Sequence, residues 1–132
     1  MEGINHLAVL ASSFFILVLG MIWYSPALFY KAWIKENSLS EEELQEQNHI
    51  KVYGLTLFLA ILMCYNLAFF LADGSTDIWW GTTAGFLTGF WAAGMFTVVA
   101  LFEQKQVKYI LINGGFMLVY FTISGLILGV WR

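Results

Sequence analysis

The chain has 132 residues, 60% of them hydrophobic and 11% charged. Soluble domains average about 45–50% apolar and about 25% charged residues, so this composition excludes an ordinary soluble domain. The net charge of −3 offers no basic patch to neutralise phosphates, which excludes a nucleic-acid partner. What remains is a protein whose main partner is the lipid bilayer.

Taken in order, four apolar segments are long enough to cross a ~30 Å hydrocarbon core, which takes about 20 helical residues. They cover about 4–24, 52–72, 78–102 and 107–131. Main-chain polar groups stay paired in lipid only within helices or closed barrels, so each segment is expected to be helical. The first lacks a basic n-region and an A-x-A cleavage pattern, so it reads as a retained span rather than a signal peptide. The connections DGSTD and EQKQVK are short, which predicts antiparallel neighbours. The expected fold is all-α, a four-helix membrane bundle forming one domain over 1–132.

The first span ends at Trp23-Tyr24, where amphipathic rings favour the headgroup level. Pro26 biases the preceding residues away from helix. Ser25 is then expected to cap a short interfacial helix over about 26–35, with Pro26 at its first position. Trp33 would be buried there, and Lys31 and Lys35 would reach phosphates. The polar segment that follows, about 36–50, carries Ser40 and Glu43 at capping-box spacing. That predicts a second helix running from near Ser40 to about Ala72, on the order of 50 Å long. Its acidic start reads as a solvated face, with a docking site as the alternative.

Lys31, Lys35 and Lys51 lie in the first connection, and Lys105 and Lys108 in the third. The other side holds Arg132, the amino terminus, Glu2, Asp73 and Asp77. The basic side is expected to be cytoplasmic, with both termini outside an inner or plasma membrane.

In the third span Gly81, Gly85, Thr88 and Ala92 recur on one face with Gly89 beside them, and Gly125 and Gly129 repeat the device in the fourth. Such stripes bring helix backbones together, and packing within the chain is preferred here over a dimer contact. The centres of the spans carry no charged residue. That argues against a proton relay. The polar residues that remain, Ser12, Ser13, Asn66, Thr82, Thr83, Thr88, Tyr120, Thr122 and Ser124, fall in the half nearer the termini. They read as ordinary interhelical hydrogen bonding, with a small ligand pocket as the sharper alternative. Asn113, Met117, Tyr120 and Ser124 form one stripe expected to face the interior, with Asn113 near Glu103 or Trp23-Tyr24.

His6 and His49 are expected at opposite ends of the bundle, so they do not share a metal within one chain. Cys64 is the single cysteine and cannot form an intrachain disulfide. Ser12 and Ser13 lack a His–Asp constellation and Glu103 stands alone, so no catalytic residue, metal or cofactor is assigned.

Two stretches resemble a known family. INHLAVLASSFFILVLGMIWYSPALFYKAWIK and LFEQKQVKYILINGGFMLVYFTISGLILGVWR resemble the opening and closing patterns of small bacterial membrane proteins catalogued as domain of unknown function 1761. The resemblance places Gly20, Trp23, Tyr24, Ser25, Pro26, Leu28, Phe29, Lys31, Trp33, Glu103, Asn113 and Gly115 at motif positions. Tyr30 departs from it, standing where the family usually has Gly. The family implies the fold and marks residues, but names no reaction.

The resulting expectation is a homo-oligomer that binds or translocates a small solute or amphiphile. The residues assigned to the ligand are Trp23, Tyr24, Ser25, Asn66, Thr88, Asn113, Tyr120 and Ser124. A non-transporting interaction protein is the alternative, and an enzyme acting on lipid or quinone ranks third.

Overall fold

In hydrocarbon no water is present to pair a main-chain N–H or C=O, and this one constraint shapes the architecture. A computed structural model describes residues 3–132, which contain six helices and no strand. In chain order they are α1 (His6–Trp23), α2 (Tyr30–Asn37), α3 (Glu41–Glu46), α4 (His49–Phe70), α5 (Ile78–Phe102) and α6 (Val107–Val130). By length and composition α1, α4, α5 and α6 can each cross a bilayer. The protein is an all-α, multi-pass membrane protein built on a four-helix bundle. Glu2 lies outside the described residues.

The helix starts follow from short polar side chains just ahead of the apolar runs. Asn5 caps α1, its Oδ1 accepting the amides of Leu7 at 3.0 Å and Ala8 at 3.2 Å. Asn48 caps α4 by accepting from the Lys51 amide at 3.0 Å, and Asp77 caps α5 through the Trp80 amide at 2.8 Å. Each cap satisfies an amide that a helix start leaves orphaned.

Small residues decide which helices meet. A Cβ added at Gly81 would sit 2.5 Å from the Gly125 carbonyl oxygen and 2.8 Å from the Gly129 Cα. One at Gly85 would run into the Phe121 carbonyl, and one at Gly89 would come 2.9 Å from the Leu118 Cα. These glycines let α5 and α6 touch backbone to backbone over their halves nearer the chain termini. On the other side of the bundle, buried Ala8 and Val9 of α1 belong to the same core as Cys64, Leu67 and Ala68 of α4. The packing order across the bundle is therefore α4, α1, α6, α5.

This order corrects one expectation. A short connection does make α5 and α6 packed neighbours, but α4 and α5 meet at only a few points. The segment between them is held instead by its own turn, in which Asp73 Oδ1 accepts from the Ser75 amide at 2.8 Å and the Ser75 hydroxyl at 2.6 Å. Arg132 adds a clasp, donating to the carbonyls of Leu71 and Asp73 at 2.6 Å each.

The connection from α1 to α4 also departs from its sequence reading. As Pro26 predicts, α1 stops at Trp23, but residues 26–29 form turns and the short helix α2 starts only at Tyr30. Ser25 does not cap it. The Ser25 hydroxyl folds back onto the Ile22 carbonyl at 2.7 Å, while its own carbonyl accepts the amides of Leu28 and Tyr30 at 2.9 and 3.1 Å. Lys31 and Lys35 are exposed, and Trp33 is half-buried against Tyr24. The capping box forms between Ser40 and Glu43, yet the helix it opens lasts only to Glu46. Gln47 is extended and Asn48 starts a new cap, so the long helix expected from Ser40 is two helices. An Asn ahead of an apolar run can hydrogen-bond the backbone locally, which competes with continuing the preceding helix.

Candidate functional site

Polar side chains gather at two levels of the bundle, with a cleft beside the second. Midway along α6, Tyr120 is 1% exposed and turns its hydroxyl toward α1 and α4. The hydroxyl donates to the Ser12 carbonyl at 3.0 Å and lies 3.3 Å from Cys64 Sγ. Phe15 and Phe116 both stack with the ring, with centroids 6.3 and 6.4 Å away. Ser13 donates to the Val9 carbonyl at 2.7 Å, and the hydroxyls of Ser12 and Ser124 are fully buried without a partner. The cluster is neutral throughout. It can exchange hydrogen bonds, but it holds no carboxylate or imidazole to act as a base.

At the end away from the termini, the residues around WYSP lock α1 onto α6. Trp23 Nε1 donates to the Ile112 carbonyl at 2.8 Å, and its ring packs on Phe29 at 5.0 Å and Phe116 at 6.4 Å. The space for that ring depends on Gly115, where an added Cβ would come 3.0 Å from the Trp23 ring. Tyr24 donates to Asn113 Oδ1 at 2.7 Å, and the Asn113 amide donates to the Tyr109 carbonyl at 3.1 Å. The Tyr24 ring faces Trp33 at 5.1 Å and Phe116 at 5.5 Å.

Beside this latch α4 stands away from α1, and a cleft of about 1030 Å³ opens between them. Its floor comes from α1, with Ile16, Leu17, Gly20 and Met21, and from Phe116 of α6. Val52, Tyr53 and Thr56 of α4 form the opposite wall. Tyr24, Tyr30 and Trp33 supply an aromatic flank, and the segment around α3 forms the roof through Glu41, Glu43 and Leu44. The roof is tied to the flank where Tyr30 donates to Glu41 Oε1 at 3.4 Å. The cleft is partly open rather than enclosed, with apolar walls and polar groups toward one end.

The residues assigned to a ligand from sequence therefore do not form one site. Tyr24 lines the cleft. Trp23 and Asn113 belong to the latch, and Ser25 bonds its own preceding turn. Tyr120 and Ser124 are core. Asn66 is exposed on α4 and donates to the Leu62 carbonyl at 3.1 Å, while Thr88 donates to the Ala84 carbonyl at 2.8 Å. Thr82, Thr83 and Thr122 likewise bond the carbonyl four residues back. Ala92 is half-buried, packed against the core. His6 hydrogen-bonds Tyr65 at 2.8 Å, and His49 stacks on Tyr53 at the other end of α4. Among the described residues no group of three or more His, Cys, Asp or Glu side chains could hold a metal ion.

Sequence reasoning missed Cys64 and most of the cleft. The signal for Cys64 was present, because Ala60, Cys64 and Ala68 repeat at helical spacing as a small-residue stripe. Glu41 and Glu43 carried no such signal, since their position over Gly20 and Tyr53 depends on the break at Gln47-Asn48.

The family model described as Protein of unknown function (DUF1761) matches residues 7–129, and the chain belongs to that family. No curated protein and no solved structure matches the chain.

Proposed function

We propose that this member of the DUF1761 family binds a small amphiphile, and that the ligand sits in the cleft between α1 and α4. The observation that carries the reading is the cleft itself: about 1030 Å³, apolar along α1 and richest in polar groups around α3. An amphiphile places its apolar part along Ile16, Gly20 and Met21, and its polar part beside Tyr24, Tyr30 and the roof. With the basic residues on the cytoplasmic side, as the positive-inside rule directs, the roof faces the cytoplasm and both termini face outward.

The cleft ends near the level of Ile16 and Thr56, below the filled core around Tyr120. Movement of a ligand across the membrane therefore belongs to this proposal only together with homo-oligomerisation, which supplies a surface beyond that level. Native mass spectrometry from lipid nanodiscs separates the two parts: a monomer that still binds removes translocation from the reading.

The test of binding uses N-phenyl-1-naphthylamine, a neutral apolar fluorophore, with purified protein in detergent and empty micelles as background. Saturable fluorescence enhancement is expected. Gly20 lines the cleft and an added Cβ there meets no atom within 4 Å, so Gly20→Phe fills the cleft without a clash at Cβ. That variant is expected to weaken binding about tenfold or more, the effect of roughly 1.4 kcal/mol or more of lost contact, with its melting temperature little changed. No saturable binding, or binding indifferent to Gly20→Phe, overturns the proposal.

A further inference from the structure

The lining of the cleft has a sign. Among the described residues the acidic side chains that line it are Glu41 and Glu43. His49 is the other ionisable group of the roof side, beside the phenols of Tyr24, Tyr30 and Tyr53. No lysine or arginine lines it, although Lys31, Lys35 and Lys51 are close in sequence. Lys31 and Lys35 are exposed on α2, and Lys51 is exposed on the first turn of α4. Basic residues thus flank the cleft while acidic ones roof it.

The aromatic flank has the matching chemistry. Tyr24 and Trp33 face each other at 5.1 Å, Tyr30 reaches Glu41, and Tyr53 stands on the opposite wall. Ring faces attract cations, at exposed sites as well as dry ones. Exposed carboxylates above, aromatic side chains at the side and an apolar floor below complement one kind of ligand. Resting on the cleft reading above, we infer that the occupant is a lipophilic cation, a bulky apolar body bearing one delocalised or quaternary positive charge. Its apolar part displaces lipid from Gly20 and Met21, and its charge lies below Glu41 and Glu43 beside Tyr24, Tyr30 and Trp33.

Glu43 has a second duty that shapes the test. Its carboxylate accepts the Ser40 amide at 3.2 Å in the capping box, and glutamine serves that role as well. Glu41→Gln/Glu43→Gln therefore removes both charges while keeping the box. Glu42→Gln/Glu46→Gln removes equal charge from α3 at residues that do not line the cleft.

Tetraphenylphosphonium and tetraphenylborate have nearly the same shape and opposite charge. Equilibrium dialysis of purified protein in detergent against each ion, corrected with empty micelles, is expected to show tetraphenylphosphonium bound at least about tenfold more tightly. Glu41→Gln/Glu43→Gln is expected to weaken the cation about tenfold and so to narrow its preference over the borate by about the same factor. Glu42→Gln/Glu46→Gln is expected to stay within about twofold of the parent, because exposed charges beyond the contact are screened by solvent and salt. Equal affinity for the two ions, or preference for the borate, overturns cation selectivity even where the neutral probe binds. Equal weakening by both double variants also overturns it, by assigning the attraction to general surface charge. Failure of all three probes overturns the cleft reading and the cation together.

Discussion

The hydroxyl of Tyr120 on α6 donates to the main-chain carbonyl of Ser12 on α1, 3.0 Å away and 108 residues earlier in the chain. The same hydroxyl lies 3.3 Å from Cys64 Sγ on α4, so one side chain joins three of the four spans. In a bilayer such a bond is not strengthened by the hydrophobic effect, but breaking it leaves a polar group in a dry core.

Tyr120→Phe is expected to destabilise the bundle by about 0.5–1.5 kcal/mol. Cys64→Ala in that background should cost less than Cys64→Ala alone, with a coupling of about 0.5 kcal/mol. Reversible unfolding in mixed micelles measures both. Strict additivity of the two changes would show that the thiol and the phenol do not interact. Cys64 is 1% exposed, so its alkylation by a maleimide should be slow in folded protein and accelerate in Tyr120→Phe.

The α5–α6 contact predicts a sharp contrast between glycines. A Cβ at Gly125 would run into the Gly81 carbonyl and lie 2.8 Å from the Gly85 Cα, whereas one at Gly94 meets nothing within 4 Å. Gly125→Val should destabilise by about 3 kcal/mol or more, the upper range for overpacking, because backbone cannot yield as a side chain can. Gly94→Ala should be neutral or stabilising by up to about 1 kcal/mol. Thermal stability in the same detergent distinguishes them, and similar losses at both sites would contradict the close approach.

Between α5 and α6 the chain turns through Gln104, whose φ of 58° lies in the left-handed region. That turn is closed by the Lys105 amide donating to the Ala100 carbonyl at 2.9 Å. Relief of left-handed strain, worth roughly 1–2 kcal/mol, exceeds the roughly 0.5–1 kcal/mol entropic cost of glycine. Gln104→Gly is therefore expected to raise stability by about 0.5 kcal/mol, and Gln104→Val to lower it. A fall in melting temperature for the glycine variant would show that the turn does not hold this conformation.

The turn after α4 carries a pH signature. The hydrogen bond from the Ser75 hydroxyl is the main reason the Asp73 carboxyl is held below its ordinary range, with the Ser75 amide adding to it. A carboxyl lowered in the folded state contributes stability in full above its unfolded pKa of about 3.9 and loses it as pH falls through the folded value. The Ser75 amide resonance should accordingly titrate with a midpoint below about 3.9, and Asp73→Asn should abolish the titration. A midpoint at or above the ordinary value would mean the turn does not favour the ionised form.

The sequence by itself determined the four spans, the stop before Pro26 and the glycine faces of α5 and α6. Each of these follows from a local rule that needs no partner: hydrocarbon thickness, the steric effect of proline on the residues before it, and small residues repeating on one helix face. It also marked Trp23, Tyr24 and Asn113, and the structure joins the last two by a 2.7 Å hydrogen bond. What only the tertiary structure decided is which helices meet and where they part. A connection such as Leu71–Asp77 limits how far apart two helices can be without stating that they pack. The choice between α1 and α5 as the partner of α4 depends on how small residues match across an interface. The cleft arises from that choice and from the break at Gln47-Asn48, where a local asparagine cap prevails over continuation of the helix begun at Ser40. Glu41 and Glu43 stay exposed, as the solvated acidic face read from sequence expects, and they also roof the cleft because the chain bends there; periodicity along a single segment carries no record of a bend.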